Sequence, residues 1–395
     1  MLKISIITNT FRIHDNPFLN SDIYIILVDS NNYGENQLNF LNNILELHLI
    51  DLKKKNITPL ILTSYKEINN ILGDIKEQYK LYLDYINPIL SSNLPFKKYK
   101  YQPTWCMIDW TDKVDMIEKW FLPEVLRNHK VFKDYVHKNI RKLFKNGKRD
   151  QKNFDFESTY KYELKKTAVP LPKKNLDSWI KKELKRRSFM INDKWYKPDT
   201  SPSTSITNDS DYLLDIHKTS KLSPFVALGV ISPVVMYNYY IGELKMGSSR
   251  DQLLFREMFH ASSQMKSFWD DTFGAKYNWK SPKDIDCKVN WNNYINGTTS
   301  INDLDWAMNQ LKTEGWIHHL ARHMVADYLT RGKLDIHWKY GMEWFKNTLV
   351  DHDKCVNRGN WMWLSGTAFS SKQRGYFHYG EKYITNKDKK LKVNK

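Results

Sequence analysis

The sequence predicts an α/β N-terminal domain with a parallel, Rossmann-like sheet, followed by a larger all-α domain. Two observations predict this. Over the first third, short β-branched runs alternate with a stretch of helical periodicity. From about Lys218 onward strand signals vanish and helical segments dominate, with Trp, Tyr, His and Arg concentrated between Phe255 and Trp363.

Ile4–Thr8 and Ile23–Asp29 are short runs rich in β-branched residues, and each reads as a buried strand. Leu38 to Lys55 places leucines and isoleucines on one helical face and ends in lysines, which suit a helix C-terminus. Thr58–Thr63 is a further strand. Strand, helix and parallel strand imply a right-handed crossover. Neither GxGxxG nor GxxxxGK[ST] occurs, so no sequence signature marks this domain as a dinucleotide or nucleoside-triphosphate site. The N-terminal domain is assigned to residues 1–130. Residues 131–208, basic and proline-punctuated as in Pro170-Leu171-Pro172-Lys173-Lys174, form a connector. The helical domain takes 209–378, and 379–395 is a polar, lysine-rich tail expected to be disordered.

Composition bounds the function. Of 395 residues 41% are apolar and 27% charged, with no uncharged apolar run long enough for a bilayer. The opening Met1-Leu2-Lys3-Ile4-Ser5-Ile6-Ile7 is too short for a secretion signal, so a soluble intracellular protein is expected. Cys106, Cys287 and Cys355 show neither zinc spacing nor the even count of a disulfide framework, and a reducing compartment fits them. A net charge of +17 attracts polyanions, nucleic acid first among them, although an AT-rich coding sequence enriches lysine without any such selection.

Two segments carry the chemistry. In Gly315-Trp316-Ile317-His318-His319-Leu320-Ala321-Arg322-His323, His319 and His323 share a helical face. The HExxH frame of a metalloenzyme is absent, and no metal site is expected. Satisfied core histidines and a proton-transfer pair both remain open. In Asp351-His352-Asp353-Lys354-Cys355-Val356-Asn357-Arg358-Gly359-Asn360-Trp361-Met362-Trp363, a helix would align Asp353, Asn357 and Trp361. Carboxylates and an amide suit a polar heteroaromatic ring, and a tryptophan can stack on it or pass it an electron. A merely capped, packed helix explains the same pattern.

Gly315 to Trp338 (through Leu329-Thr330-Arg331-Gly332) and Asp351 to Ser365 together resemble the flavin cavity of photolyases and cryptochromes. Thr219-Ser220-Lys221-Leu222-Ser223-Pro224, with Gly229 and Ser232-Pro233, is similar to the family segment that holds the flavin phosphates. Gln252-Leu253-Leu254-Phe255-Arg256-Glu257 resembles its next helix, and Phe11-Arg12-Ile13-His14-Asp15-Asn16-Pro17 the start of its N-terminal domain. The resemblance implies FAD as cofactor and an all-α FAD-binding domain. It implies diphosphate contacts from Thr219, Ser220 and Ser223, and Arg256 bordering the flavin. It also implies an Arg322–Asp351 ion pair beside the isoalloxazine, Asp353 at the cofactor's polar edge or ribityl-adenine side, and Asn357 facing N5. Trp361 and Trp338 match the first two members of the electron relay, with Tyr294 at the third. Gln252, Phe255 and Trp363 fall on the lesion side.

His319 and His323 match the pair found in (6-4) photolyases and animal cryptochromes, whereas cyclobutane-specific enzymes usually carry Asn and Met there. Reversing a (6-4) adduct needs a proton donor as well as an electron. The resemblance thus implies light-driven repair of UV pyrimidine photoproducts, (6-4) rather than cyclobutane, with UV-damaged duplex DNA as partner. A monomer in a DNA-containing compartment, nucleus or cytoplasm, is expected. The alternatives are a cryptochrome-like flavin photoreceptor and a family member without catalysis.

Several positions depart from the family pattern. Tyr294 and Phe255 each stand where a tryptophan is usual, and Trp291 is a candidate substitute for Tyr294. Thr298 to Asn302 lacks the family's basic residue, glycine and proline. No recognisable antenna-pigment site is expected. The family runs on for many tens of residues past its counterpart of Trp363, and here 32 follow, so a shortened cavity and DNA face are expected.

Overall fold

A computed structural model describes residues 1–84, 96, 98–121, 129–145, 151–152, 155–172, 176–183, 221–242, 247–271 and 279–368. The first five strands form one parallel sheet. They are β1 (Leu2–Ile7), β2 (Ile23–Leu27), β3 (Leu60–Leu62), β4 (Tyr79–Leu83) and β5 (Lys100–Tyr101), in the order β3-β2-β1-β4-β5. Register is fixed by pairs such as Ile4 with Ile23 and Leu81. β2 is apolar on both faces, and β1 is buried on both with Lys3 and Ser5 on one of them. Helix α1 (Glu35–Lys53) makes the crossover from β2 to β3, and α2 (Tyr65–Asp74) leads into β4. Ser64 caps α2 by accepting from the Glu67 amide.

The strand order reverses between β1 and β4, which is where open α/β sheets usually bind ligands. Here Asp84, at the end of β4, fills that place. Its carboxylate accepts from the amides of Thr8 (2.9 Å) and Asn9 (2.9 Å) and from the hydroxyls of Thr8 and Thr10. Burial pushes the Asp84 pKa up, against the pull of these donors.

Beyond the sheet the chain is helical. The elements are α3 (Val114–Phe121), α4 (His129–Asn139), α5 (Ser223–Ala227), α6 (Pro233–Gly242), α7 (Gly247–Ser262), α8 (Ile285–Asn296) and α9 (Asn302–Glu314). They continue with α10 (His319–Asp327), a π-helical turn (Tyr328–Gly332), α11 (Trp338–Thr348) and α12 (Lys354–Leu364). Gly297 and Gly315, both left-handed, end α8 and α9.

Two polar ties join sheet and helices. Buried Arg12 donates to the carbonyls of Gly229 (2.6 Å) and Thr104 (2.6 Å). Asp15 accepts from both terminal nitrogens of Arg141 and from the hydroxyl of Ser232. Gly229 has φ +64, and a Cβ there would lie 1.8 Å from the Asn9 carbonyl oxygen, so only glycine fits. On the other side α1 docks on the end of α11 and the loop after it, with Asn36 donating to the Thr348 carbonyl and Gln37 to that of His352.

Part of the connector is described and is extended rather than helical over 155–168. It runs along β3 and α1, with Thr159 and Tyr160 donating to the Ile61 carbonyl and Tyr162 to Glu46. The tail 379–395 lies outside the described residues.

Candidate flavin site and its flanking aromatic row

Helices α7, α10 and α12 converge. Arg322, on α10, donates from Nη2 to Asp351 Oδ2 at 2.8 Å and from Nε to the Ile317 carbonyl. The other Asp351 oxygen is buried without a hydrogen-bond partner, and the Arg322 side chain keeps 23% exposure. A buried carboxylate oxygen in that state is costly unless a donor from outside the chain reaches it.

Asp353 does not lie within the helix. It is the N-cap of α12, where Oδ1 accepts from the amides of Cys355 and Val356, both at 3.1 Å. A short acidic side chain is more stable there than inside a helix, because the first amides have no intrahelical acceptor. Its Oδ2 stands 3.4 Å from Arg256 Nη2 and 3.0 Å from His260 Nε2. Burial would raise the Asp353 pKa, yet His260, Arg256 and the amide donors hold it well below the usual carboxylate range. Both oxygens are therefore engaged within the protein. Asn357 is buried one turn on and donates to the Met342 carbonyl at 2.9 Å.

A row of rings flanks this cluster. His319 and His323 lie edge to face at 6.1 Å, and His323 lies edge to face with Trp363 at 6.0 Å. Trp363 stacks on Phe255 at 5.6 Å and 17°, and Lys133 Nζ sits 5.8 Å from the Phe255 ring centre. Gln252 is exposed one turn earlier on α7. Burial, then Arg322, lowers the His323 pKa to about 4. Burial also drives that of His319 well down, with His318, His323 and Arg322 adding to it. His319 is nonetheless exposed.

On the other side, Trp361 and Trp338 are buried. Trp361 presses on Gly341, where a Cβ would fall 2.2 Å from its Cη2. The Arg358 guanidinium lies 4.9 Å from the Trp338 ring centre and 5.8 Å from that of Trp269, paired with Asp271 at 3.0 Å. Tyr294 is fully buried, donates to the Val325 carbonyl at 3.0 Å, and stacks between Tyr328 (6.2 Å) and Trp291 (5.9 Å). Burial pushes its pKa far up, and a backbone carbonyl cannot take its proton. Ser223 begins α5 and is exposed, while Thr219 and Ser220 lie outside the described residues.

Sequence reasoning missed Glu257, His260 and Arg358. Glu257, buried on α7, accepts from the amides of Met107 and Ile108 and from Trp110 Nε1 at 2.6 Å. Its sequence signals were a charge beside apolar residues and its place at the end of the Gln252–Glu257 segment, neither of which gave it a role.

Similarity to known proteins agrees with this arrangement. The family profile described as the FAD binding domain of DNA photolyase matches residues 249–389. The matched segment is similar to the FAD-binding domain of the photolyase/cryptochrome family. Within the family, cryptochrome-2 of Gallus gallus is 38% identical over 168 residues, and the (6-4)DNA photolyase of Arabidopsis thaliana 34% over 207. Those matches take up 40% and 47% of this chain, and only 28% and 34% of the relatives' own lengths. The fold of a Synechocystis cryptochrome superposes with a TM-score of 0.72 at 17% identity, covering 96% of this chain and 86% of that one. A Sulfolobus tokodaii photolyase, solved with two FAD molecules, gives 0.66 at 18%, covering 97% and 87%.

Proposed function

We propose that the chain is a light-driven DNA repair flavoprotein that reverses UV pyrimidine photoproducts, (6-4) adducts in preference to cyclobutane dimers. One observation carries the reading: the row His319–His323–Trp363–Phe255 stands beside the Arg322–Asp351 pair. A flipped, damaged dinucleotide needs aromatic faces to replace the stacking it loses, and a (6-4) adduct needs a proton at the same place.

The residues fit FAD. Asp351 offers a buried, unpartnered oxygen to a donor on the cofactor, with Arg322 and Asn357 beside it, and Ser223 opens the phosphate side. When bound, FAD supplies light absorption and one-electron donation. Around it, Trp361 and Trp338 are the tryptophans held ready to pass electrons, while Tyr294, sealed from solvent, is poorly placed to end the relay.

Burial and Arg322 lower the pKa of both histidines, that of His323 to about 4, which favours the neutral rings in the free protein. An incoming polyanion cancels part of that field, raises both pKa values and readies the pair to hold and deliver a proton. The net charge of +17 supports duplex DNA as the partner. Among the described residues no helix is long and apolar enough to cross a membrane. A monomer in a DNA-containing compartment completes the proposal.

The test is photorepair of duplexes carrying a single defined lesion, after FAD release has been measured by absorption. His323→Ala is expected to abolish (6-4) repair while FAD content stays unchanged. Bound FAD with no repair of either lesion would transfer the site to a photoreceptor role. A protein that stays colourless in excess FAD would remove both.

A further inference from the structure

The strongest unassigned feature is a buried cluster at the junction of α7, α12 and the loop after β5. A ring nitrogen of His260, a carboxylate oxygen of Asp353 and the sulfur of Cys355 all lie within 4.8 Å of one another. His260 is 1% exposed, and its Nδ1 makes no hydrogen bond. Its Nε2 is paired with Asp353 Oδ2 at 3.0 Å. The other side of the ring is closed by Trp105, edge to face at 4.3 Å. Cys355 is a buried free thiol, held at the first turn of α12 by the cap that Asp353 makes. A buried Nδ1 without a partner loses its hydration uncompensated, and the nitrogen, oxygen and sulfur donors stand at the mutual spacing of ligands that share one cation.

We infer that His260, Asp353 and Cys355 form a structural site for a borderline divalent transition metal of the zinc class. One nitrogen, one oxygen and one sulfur donor match that class, and exclude the all-oxygen environment that calcium or magnesium needs. On binding, the Cys355 thiol gives up its proton to solvent, and thiolate and carboxylate together balance the ion's two charges. Arg256 already donates to the Trp105 carbonyl at 2.7 Å, so it can release its longer 3.4 Å contact with Asp353. The ion would clamp the end of α7 to the start of α12. No local spacing announces it, since His260 and Asp353 stand far apart in the chain.

The full-length chain, stripped with a chelator and with its FAD content measured separately, is titrated with Co2+ in the dark. The expected result is a thiolate-to-cobalt charge-transfer band that saturates at one equivalent and is erased by Zn2+. Cys355→Ser should remove the band, and His260→Gln should weaken binding at least tenfold. Absence of the band in the unmodified protein, or its persistence at full strength in Cys355→Ser, would overturn the site. If Cys355→Ser fails to fold, as judged by circular dichroism, His260→Gln decides, and undiminished affinity there refutes it.

Discussion

Glu257→Gln is the substitution whose cost the structure specifies most closely. The carboxylate is fully buried and receives only donors: the Met107 amide at 2.9 and 3.0 Å, the Ile108 amide at 2.9 Å and the Trp110 indole at 2.6 Å. Glutamine keeps the shape and one acceptor, but turns an NH2 group toward an N–H. Two effects add. Hydrogen bonds to a charged acceptor are worth about 1.5–3 kcal/mol each, and neutral replacements about half that. A donor left buried without a partner costs a further ~1–3 kcal/mol. The expected loss is roughly 3–5 kcal/mol, concentrated in the 105–110 loop that α7 holds through this residue. Equilibrium unfolding in urea, followed by tryptophan emission, measures it. Burial pulls the other way, pushing the Glu257 pKa up. Were the group protonated in the folded protein, Gln would be nearly isosteric and isoelectronic. A loss below about 1 kcal/mol would therefore refute the ionised, donor-clamped carboxylate on which the reasoning depends.

Two more outcomes are expected. His48 is buried with its pKa lowered from 6.5 to about 3, by burial first and Arg12 second. The unfolded chain takes up this proton as pH falls through 6.5 and the folded chain does not until about 3, so the contribution is complete above 6.5 and is lost on acidification between those values. Its ceiling is about 5 kcal/mol at ~1.4 kcal/mol per unit, and His48→Leu should flatten the measured pH dependence of stability over that window. Arg358, 4.9 Å from Trp338, opposes any positive charge on that ring by about 3 kcal/mol at an effective dielectric near 20, before Asp271 offsets part of it. Arg358→Met should therefore raise the tryptophan-radical yield in flash photolysis of the FAD-loaded protein, and an unchanged yield would exclude this role.

What the sequence disclosed and what it hid follow from distance along the chain. β1 and β2 were legible because β-branched runs buried on both faces need no partner to be recognised. β4 was not: only Leu81 and Leu83 of Tyr79–Leu83 are buried, and its place beside β1 is a tertiary fact. The motif around Arg12 and Asp15 was visible as a string of residues, but its work lies in Gly229, Ser232 and Arg141, contacts that no local period encodes. Asp353 was placed on a helical face because 3.6-residue periodicity says nothing about where a helix starts. The aromatic row is the same case in space: Phe255, His323 and Trp363 come from three helices and meet only when those helices pack.

Asp84 has a consequence for how the two halves can share labour. In an open parallel sheet the reversal point is a vestibule, and a guest with negative charge would find its welcome in the very amides of Thr8 and Asn9 that Asp84 occupies. This chain has locked that door from inside with its own carboxylate. The sheet is thereby free to serve as a rigid bracket, with the loop from Thr104 to Trp110 as the hinge plate that α7 is bolted to through Glu257 and Arg256.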